Sequence, residues 1–368
     1  MIEKAYRYRI YPNKEQKIQL HKTFGCVRFV FNHYLDRRMK VYETEKRTLG
    51  YYDCAKELPG LKKEYPWLKE VDSIALQSTL RDLDDAYKSF FRKDAGYPNF
   101  KSKKTHRFSY KTKCVNGNIQ YQGRYLKLPK LGVVKTRNKQ IPEGRILNAT
   151  ITQEPSGNYY VSLCCTEVEV CVPEKTGCEI GIDLGIKDFA VTSDGRTCPN
   201  PKYLNASQKK LARYQRALSR KTRGGANWAK ARIKVARIQE HIANQRKDYL
   251  QKLSTELIRD YDVICLETLR VKEMMKNHRL AKQIADVSWA EFVRELEYKA
   301  SWYKKKVIKV DAWYASSQIC NSCGAKSGIT KDLSVREWIC PKCGRKLDRD
   351  INAAKNILAE GRKRMIVA

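Results

Sequence analysis

Two groups of residues in this sequence have the types and spacing to do chemistry. Cys320 and Cys323 form one Cys-x2-Cys pair, and Cys340 and Cys343 form a second after sixteen intervening residues. Each pair can set two thiolates on one side of a tetrahedral ion. Gly324 and Gly344 follow the second cysteine of each pair and permit the tight turn of a knuckle. Four soft ligands with no open position predict a structural Zn2+. A small ribbon over residues 317–347 is expected, with its fold dependent on the metal. The competing reading, a redox pair, lacks the strand–helix context of such a motif.

The second group is acidic. Asp183 stands among apolar and glycine neighbours in Gly181-Ile182-Asp183-Leu184-Gly185, between two short predicted strands that the turn Ser193-Asp194-Gly195 closes. A carboxylate in a core strand is costly to bury alone, so it is paired with a base or holds a cation. Glu267 ends the buried-strand pattern Asp262–Glu267, and Asp350 opens the last predicted helix, about 350–362. Taken singly, each has a plain alternative: a core ion pair, a cap, a helix-dipole partner. Brought together, they would hold two Mg2+ ions that activate a water and stabilise the leaving oxygen in phosphodiester hydrolysis.

The elements that must position these groups follow from periodicity. The chain has 368 residues, so two or three domains are expected. A strand over 1–10 precedes a helical pattern from Lys14 to Glu45. Pro59 and Gly60 predict an interruption, and a second helix follows Ser73 as its N-cap. After Gly96-Tyr97-Pro98 the period changes to short strands at 108–110, 118–121, 125–128, 147–152 and 159–165, which suggest a small barrel. Val172–Gly177 reads as a linker. Beyond it come two strands, basic helical arms over 207–260 broken at Gly224-Gly225, strand 262–267, helix 289–305 and strand 306–310. This order is compatible with an RNase H-like mixed sheet flanked by helices.

Lys and Arg number 74 against 40 Asp and Glu, a formal charge of +34. That imbalance along the whole chain, interleaved with 22 Tyr, predicts a nucleic-acid partner and argues against a membrane binder. A supercharged soluble surface is the bland alternative. No apolar run reaches transmembrane length and no signal peptide is evident, so a cytoplasmic protein is expected. Nine scattered cysteines read as reduced residues.

Together the motifs resemble a known family. Gly181-Ile182-Asp183-Leu184-Gly185-Ile186-Lys187-Asp188, Leu266-Glu267-Thr268-Leu269, Ser316-Ser317-Gln318-x-Cys320-x2-Cys323-Gly324 and Asp348-Arg349-Asp350-x-Asn352-Ala353-Ala354 are similar to the RuvC-like core of TnpB, the insertion-sequence-encoded ancestor of type V CRISPR effectors. The N-terminal Tyr8-Arg9-Ile10-Tyr11-Pro12 and Leu126-Lys127-Leu128-Pro129-Lys130 extend the resemblance over essentially the whole chain. It implies an α+β multidomain protein. A wedge β-barrel would comprise 1–10 and 96–176, a helical recognition domain 11–95, and a RuvC-like nuclease domain 177–368 with the zinc ribbon inserted. It also implies a transposon-associated, RNA-guided DNA endonuclease of prokaryotic cells, acting at the nucleoid. Its partners would be a noncoding guide RNA from the transposon end and target double-stranded DNA, cut next to a short adjacent motif. A monomer in the RNA complex is expected. Asp183, Glu267 and Asp350 match the catalytic, Mg2+-holding positions, Asp350 being preferred to Asp348 for its Asp-x-Asn-Ala-Ala register. Tyr51, Ser73, Gln77 and Asn116 fall in segments that read the adjacent motif in similar proteins, although Ser73 and Ile74 depart from the basic and aromatic residues found there.

Two other functions are open to such a chain. A nuclease-dead guided repressor is disfavoured because all three carboxylates are present. A strand transferase at transposon ends is disfavoured because no tyrosine nucleophile is flanked by a paired-His motif.

Overall fold

The computed structural model describes residues 1–137, 141–332 and 334–367, with side chains through Met365. Two compact units divide the chain, Met1–Glu169 and Val170–Ala368.

In the first unit, β1 (Ile2–Tyr11) buries Tyr6, Tyr8 and Ile10 at alternate positions. Asn13 then starts α1 (Lys14–Glu45) with a capping box. Its side chain accepts from the Gln16 N–H at 2.8 Å, and the Gln16 side chain accepts from the Asn13 N–H at 3.0 Å. Helix α2 (Tyr51–Glu64) runs through Pro59 and Gly60, where the sequence predicts an interruption. Buried Leu58 and Leu61 stabilise it by about 2 kcal/mol each, against roughly 3 kcal/mol for an internal proline. Helix α3 (Ser73–Phe91) is capped by Asp72, whose carboxylate accepts from the Ile74 N–H at 3.0 Å. Ser73, expected as the cap, is instead the first helical residue.

Strands β2 (Phe108–Lys113), β3 (Gln120–Gln122), β4 (Tyr125–Leu128), β5 (Gly132–Thr136), β6 (Arg145–Gln153) and β7 (Tyr159–Val168) join β1 in one antiparallel sheet. Its order is β2-β6-β7-β1-β5-β4-β3. Among the described residues, no ladder closes β2 onto β3 as a complete barrel would require. Helices and sheet share a core. The Phe24 ring of α1 lies 5.9 Å from Phe108 and 5.7 Å from Tyr110 of β2.

The second unit begins with β8 (Glu179–Leu184), β9 (Asp188–Thr192) and β10 (Thr197–Pro199), followed by the basic helices α4 (Tyr203–Ser219) and α5 (Ala226–Asp260). Next come β11 (Val263–Glu267), two short helices α6 (Val271–Met274) and α7 (Ala281–Val287), α8 (Trp289–Tyr303) and β12 (Lys306–Val310). The hairpin β13 (Glu337–Ile339) and β14 (Lys346–Asp348) leads into α9 (Arg349–Val367). The main sheet has the order β10-β9-β8-β11-β12, with β8, β11 and β12 parallel and β9 antiparallel to both of its neighbours, β8 and β10. The first four residues of β11 are all buried, as expected of a strand covered on both faces.

Leu250, Leu253 and Leu257 of α5 and Phe292 and Leu296 of α8 belong to one apolar cluster with Ile180, Ile182, Ile264 and Leu266 of the sheet. Helix α9 packs against the sheet as well. A Cβ at Gly181 would lie 2.1 Å from the Ala354 carbonyl oxygen, and one at Gly361 would lie 2.3 Å from Cys265 Sγ. A glycine thus permits the close approach at each end of the contact, Gly181 of β8 beneath the helix and Gly361 of α9 itself against the Cys265 side chain. No helix among the described residues is long and apolar enough to cross a membrane.

Candidate active site and metal centre

Strands β8 and β11 run parallel with Ile182 opposite Leu266, so the next residues, Asp183 and Glu267, stand side by side at the strand ends. Asp350 enters from the first turn of α9, whose seat against β8 is fixed at Gly181. All three line one cavity of about 300 Å³, together with Arg336 and Arg349. Their carboxylate oxygens are not gathered within 4.8 Å of one another; among the described residues, only the four cysteines of the ribbon meet that spacing.

The electrostatics of this cavity are unfavourable to its own charge. Burial, then the charges of Glu267 and Asp350, raise the Asp183 pKa well above the usual carboxylate range against the pull of Arg349 and Arg336. Burial pushes Glu267 up to about 7, against a hydrogen bond from the Leu184 backbone. Carboxylates placed together with little water retain a proton or require a cation. Oxygen-only ligands of this kind suit Mg2+. Asp350 is held by Arg336, whose Nη1 donates to Oδ2 at 2.7 Å. Asp348 instead caps α9, its Oδ1 accepting from the N–H groups of Asp350 at 3.0 Å and Ile351 at 2.8 Å.

The four cysteines converge in the segment that precedes α9. Sγ–Sγ separations are 3.7 Å for Cys320–Cys343 and 3.6 Å for Cys323–Cys340. Zn–S bonds of about 2.3 Å in a tetrahedron place sulfurs about 3.8 Å apart, so the set fits Zn2+. The two knuckles repeat one geometry. The Gly324 N–H donates to the Cys320 carbonyl and the Gly344 N–H to the Cys340 carbonyl, both at 2.9 Å, with φ of +73° and +70° that glycine adopts freely. At Cys320 burial is outweighed by the N–H groups of Ser322 and Cys323 and by the neighbouring thiols, which bring it down to about 6. Against the Ala325 N–H, the neighbouring thiols push Cys323 up to about 11, so a cation is needed for all four to be thiolates together.

A family model described as "Probable transposase" matches residues 163–278, one described as "Cas12f1-like, TNB domain" matches 289–357, and one described as "Helix-turn-helix domain" matches 1–47. A Streptomyces pristinaespiralis protein named "Putative RNA-guided DNA endonuclease" is 39% identical over 365 residues, covering 98% of this chain and 90% of its own. The Escherichia coli K12 protein InsQ, similarly named, is 34% identical over 376 residues, covering 97% and 92%. The chain belongs to the TnpB family. A solved Cas12f1–sgRNA–target DNA complex covers 97% of this chain and 99% of its own, but only at 16% identity and a TM-score of 0.38, from which nothing further follows. The helix-turn-helix match falls, in this TnpB-family chain, on β1 and the 32-residue α1.

The remaining sequence-predicted residues lie in the first unit. Tyr51 opens α2, with the Arg81 guanidinium 4.3 Å over its ring. Ser73 opens α3 and accepts from Lys62 Nζ at 2.6 Å, while Gln77 is exposed one turn later. Asn116 sits exposed in the β2–β3 turn at φ +50°. Sequence reasoning missed Arg336 and Arg349 at the acid cavity, since nothing separates them from dozens of other cations. It also missed the clamp made by two buried asparagines of α9. Asn352 Nδ2 donates to the Ile319 carbonyl at 2.7 Å, and Asn356 Nδ2 donates to the Ser316 and Ile319 carbonyls at 2.8 and 2.6 Å. These bonds tie the ribbon to the helix that carries Asp350.

Proposed function

We propose that this chain is a transposon-associated, RNA-guided DNA endonuclease that cleaves double-stranded DNA beside a short adjacent motif, with Asp183, Glu267 and Asp350 as its metal-holding carboxylates. The observation that carries the reading is the convergence of those three residues on one cavity in a chain of charge +34 whose relatives bear that name. The strand order β10-β9-β8-β11-β12 with helices packed on it supports an RNase H-like, RuvC-type domain over 177–368, with a ribbon at 317–347. We read α1–α3 as the recognition helices and the seven-stranded sheet as the wedge, with Tyr51, Ser73, Gln77 and Asn116 facing the adjacent motif.

Bound Mg2+ would supply a polarised water and a counter-charge for the leaving oxygen. The chain's own contribution is placement. Adjacent parallel strands hold Asp183 and Glu267 side by side, and Arg336 keeps Asp350 at the cavity wall. Burial that disfavours the empty, ionised pair makes a divalent cation the natural occupant. Base pairing with a guide RNA would supply sequence specificity, and the excess of Lys and Arg would neutralise the phosphates. We take the active form as one chain with one RNA in the prokaryotic cytoplasm.

The test is to express the full chain with its native flanking DNA and sequence the RNA that copurifies. One enriched RNA species, with a variable terminal segment that directs cutting of a matching plasmid, is the expected result. RNA indistinguishable from total cellular RNA would overturn the reading.

A further inference from the structure

Trp313 is 76% exposed, unusual for an indole. It is nonetheless held in place. Its backbone N–H donates to Asp311 Oδ1 at 2.8 Å, and the Arg270 guanidinium lies 4.7 Å from its ring centroid. Arg270 follows β11 and Trp313 follows β12. Thr268 Oγ1 donates to the Val310 carbonyl at 2.6 Å and ties the two strand exits together. A cation therefore braces the ring while most of the indole stays open to solvent.

The surroundings point to a nucleic-acid ligand. Arg270 lines a second cavity, about 510 Å³, whose lining includes Leu269, Val271, Val293 and Lys272. Glu267 lines both this cavity and the acid cavity, so the two lie on either side of one residue. The acid cavity, at about 300 Å³, has room for a phosphate and its immediate neighbours, so one strand is presented to it at a time. Where that strand is unpaired, the base flanking the phosphate has lost its stacking partners, and a surface that replaces them favours binding. An open indole backed by a guanidinium offers one, together with a positive charge for the adjacent phosphate. Arg270 also donates to Glu273 at 3.4 Å, an exposed pair that a phosphate can displace.

We propose that Trp313, braced by Arg270, is a stacking platform for an unpaired base of the strand being cut, beside the scissile phosphate. It is a positioning residue, and the assignment rests on the endonuclease reading above.

The test uses the full chain with Asp183→Asn, so that a bound strand stays intact, and 2-aminopurine moved along a single-stranded DNA of about 20 nucleotides. Fluorescence quenching at one or two adjacent positions is expected. Trp313→Ala should abolish that quenching and weaken binding about tenfold, while Trp313→Phe retains most of both. Absence of quenching at every position, or quenching and affinity unchanged in Trp313→Ala, would overturn the platform. Because this readout needs no cleavage, a chain that quenches but never cuts keeps the platform and loses the nuclease reading. A chain that cuts while Trp313→Ala changes nothing does the reverse.

Discussion

At the scale of single residues, Asp183 combines the two properties that mark a metal-holding carboxylate: burial and like-charged neighbours. Asp183→Asn keeps its shape and removes its charge. It should lower Mg2+-dependent cleavage about a thousandfold or more, with DNA binding retained. Without DNA, saturating Mg2+ should raise the parent's melting temperature by about 5 °C and leave Asp183→Asn nearly unmoved in calorimetry. A second buried ion gives a pH test away from the cavity. Lys299 Nζ donates to the Gln251 carbonyl, Ser254 Oγ and Thr255 Oγ1 at 2.9, 2.7 and 2.8 Å, joining α8 to α5. Burial brings its pKa down to about 8, with the Glu295 charge opposing. Between that value and the ordinary one near 10.5 the unfolded chain binds more protons than the folded one, so stability rises with pH across that window. The melting temperature of the parent minus that of Lys299→Met should therefore climb from about pH 8 towards about pH 10.

At the scale of elements, α9 is the part on which the site depends. It carries Asp350, packs on bare backbone at Gly181, and holds the ribbon through Asn352 and Asn356. Gly181→Ala should destabilise the fold by about 2 kcal/mol or more, seen in denaturant titration, and should impair cleavage with every carboxylate still present. The ribbon should contain one zinc per chain by elemental analysis. Cys340→Ser should lose that zinc and cleavage together, because Arg336 reaches Asp350 from between the two cysteine pairs. Much of this was legible in the sequence. The bounds of α1, β4 and β12 follow from periodicity and punctuation alone, and β11 from its apolar run. Helix α2 was not, because its packing outweighs Pro59-Gly60. Strands β5 and β10 were not, because stretches of five and three residues carry too little pattern and owe their form to neighbouring strands.

At the scale of the whole molecule, cysteine spacing announced the ribbon, while three lone carboxylates pointed to a site only in combination. Asp183, Glu267 and Asp350 are 84 and 83 residues apart in sequence, and only the parallel pairing of β8 with β11 and the seat of α9 bring them to one cavity. The charge of +34 belongs to this scale too, because it favours a polyanionic partner. The most direct measurement is therefore cleavage of a plasmid matched to the copurifying RNA and carrying a randomised adjacent motif, with Mg2+ and with EDTA, for the parent and Asp183→Ala. The parent with Mg2+ should linearise the subset of plasmids that shares one short motif, and Asp183→Ala should linearise none. No linear product from the parent across the library, or equal product from Asp183→Ala, would contradict the account.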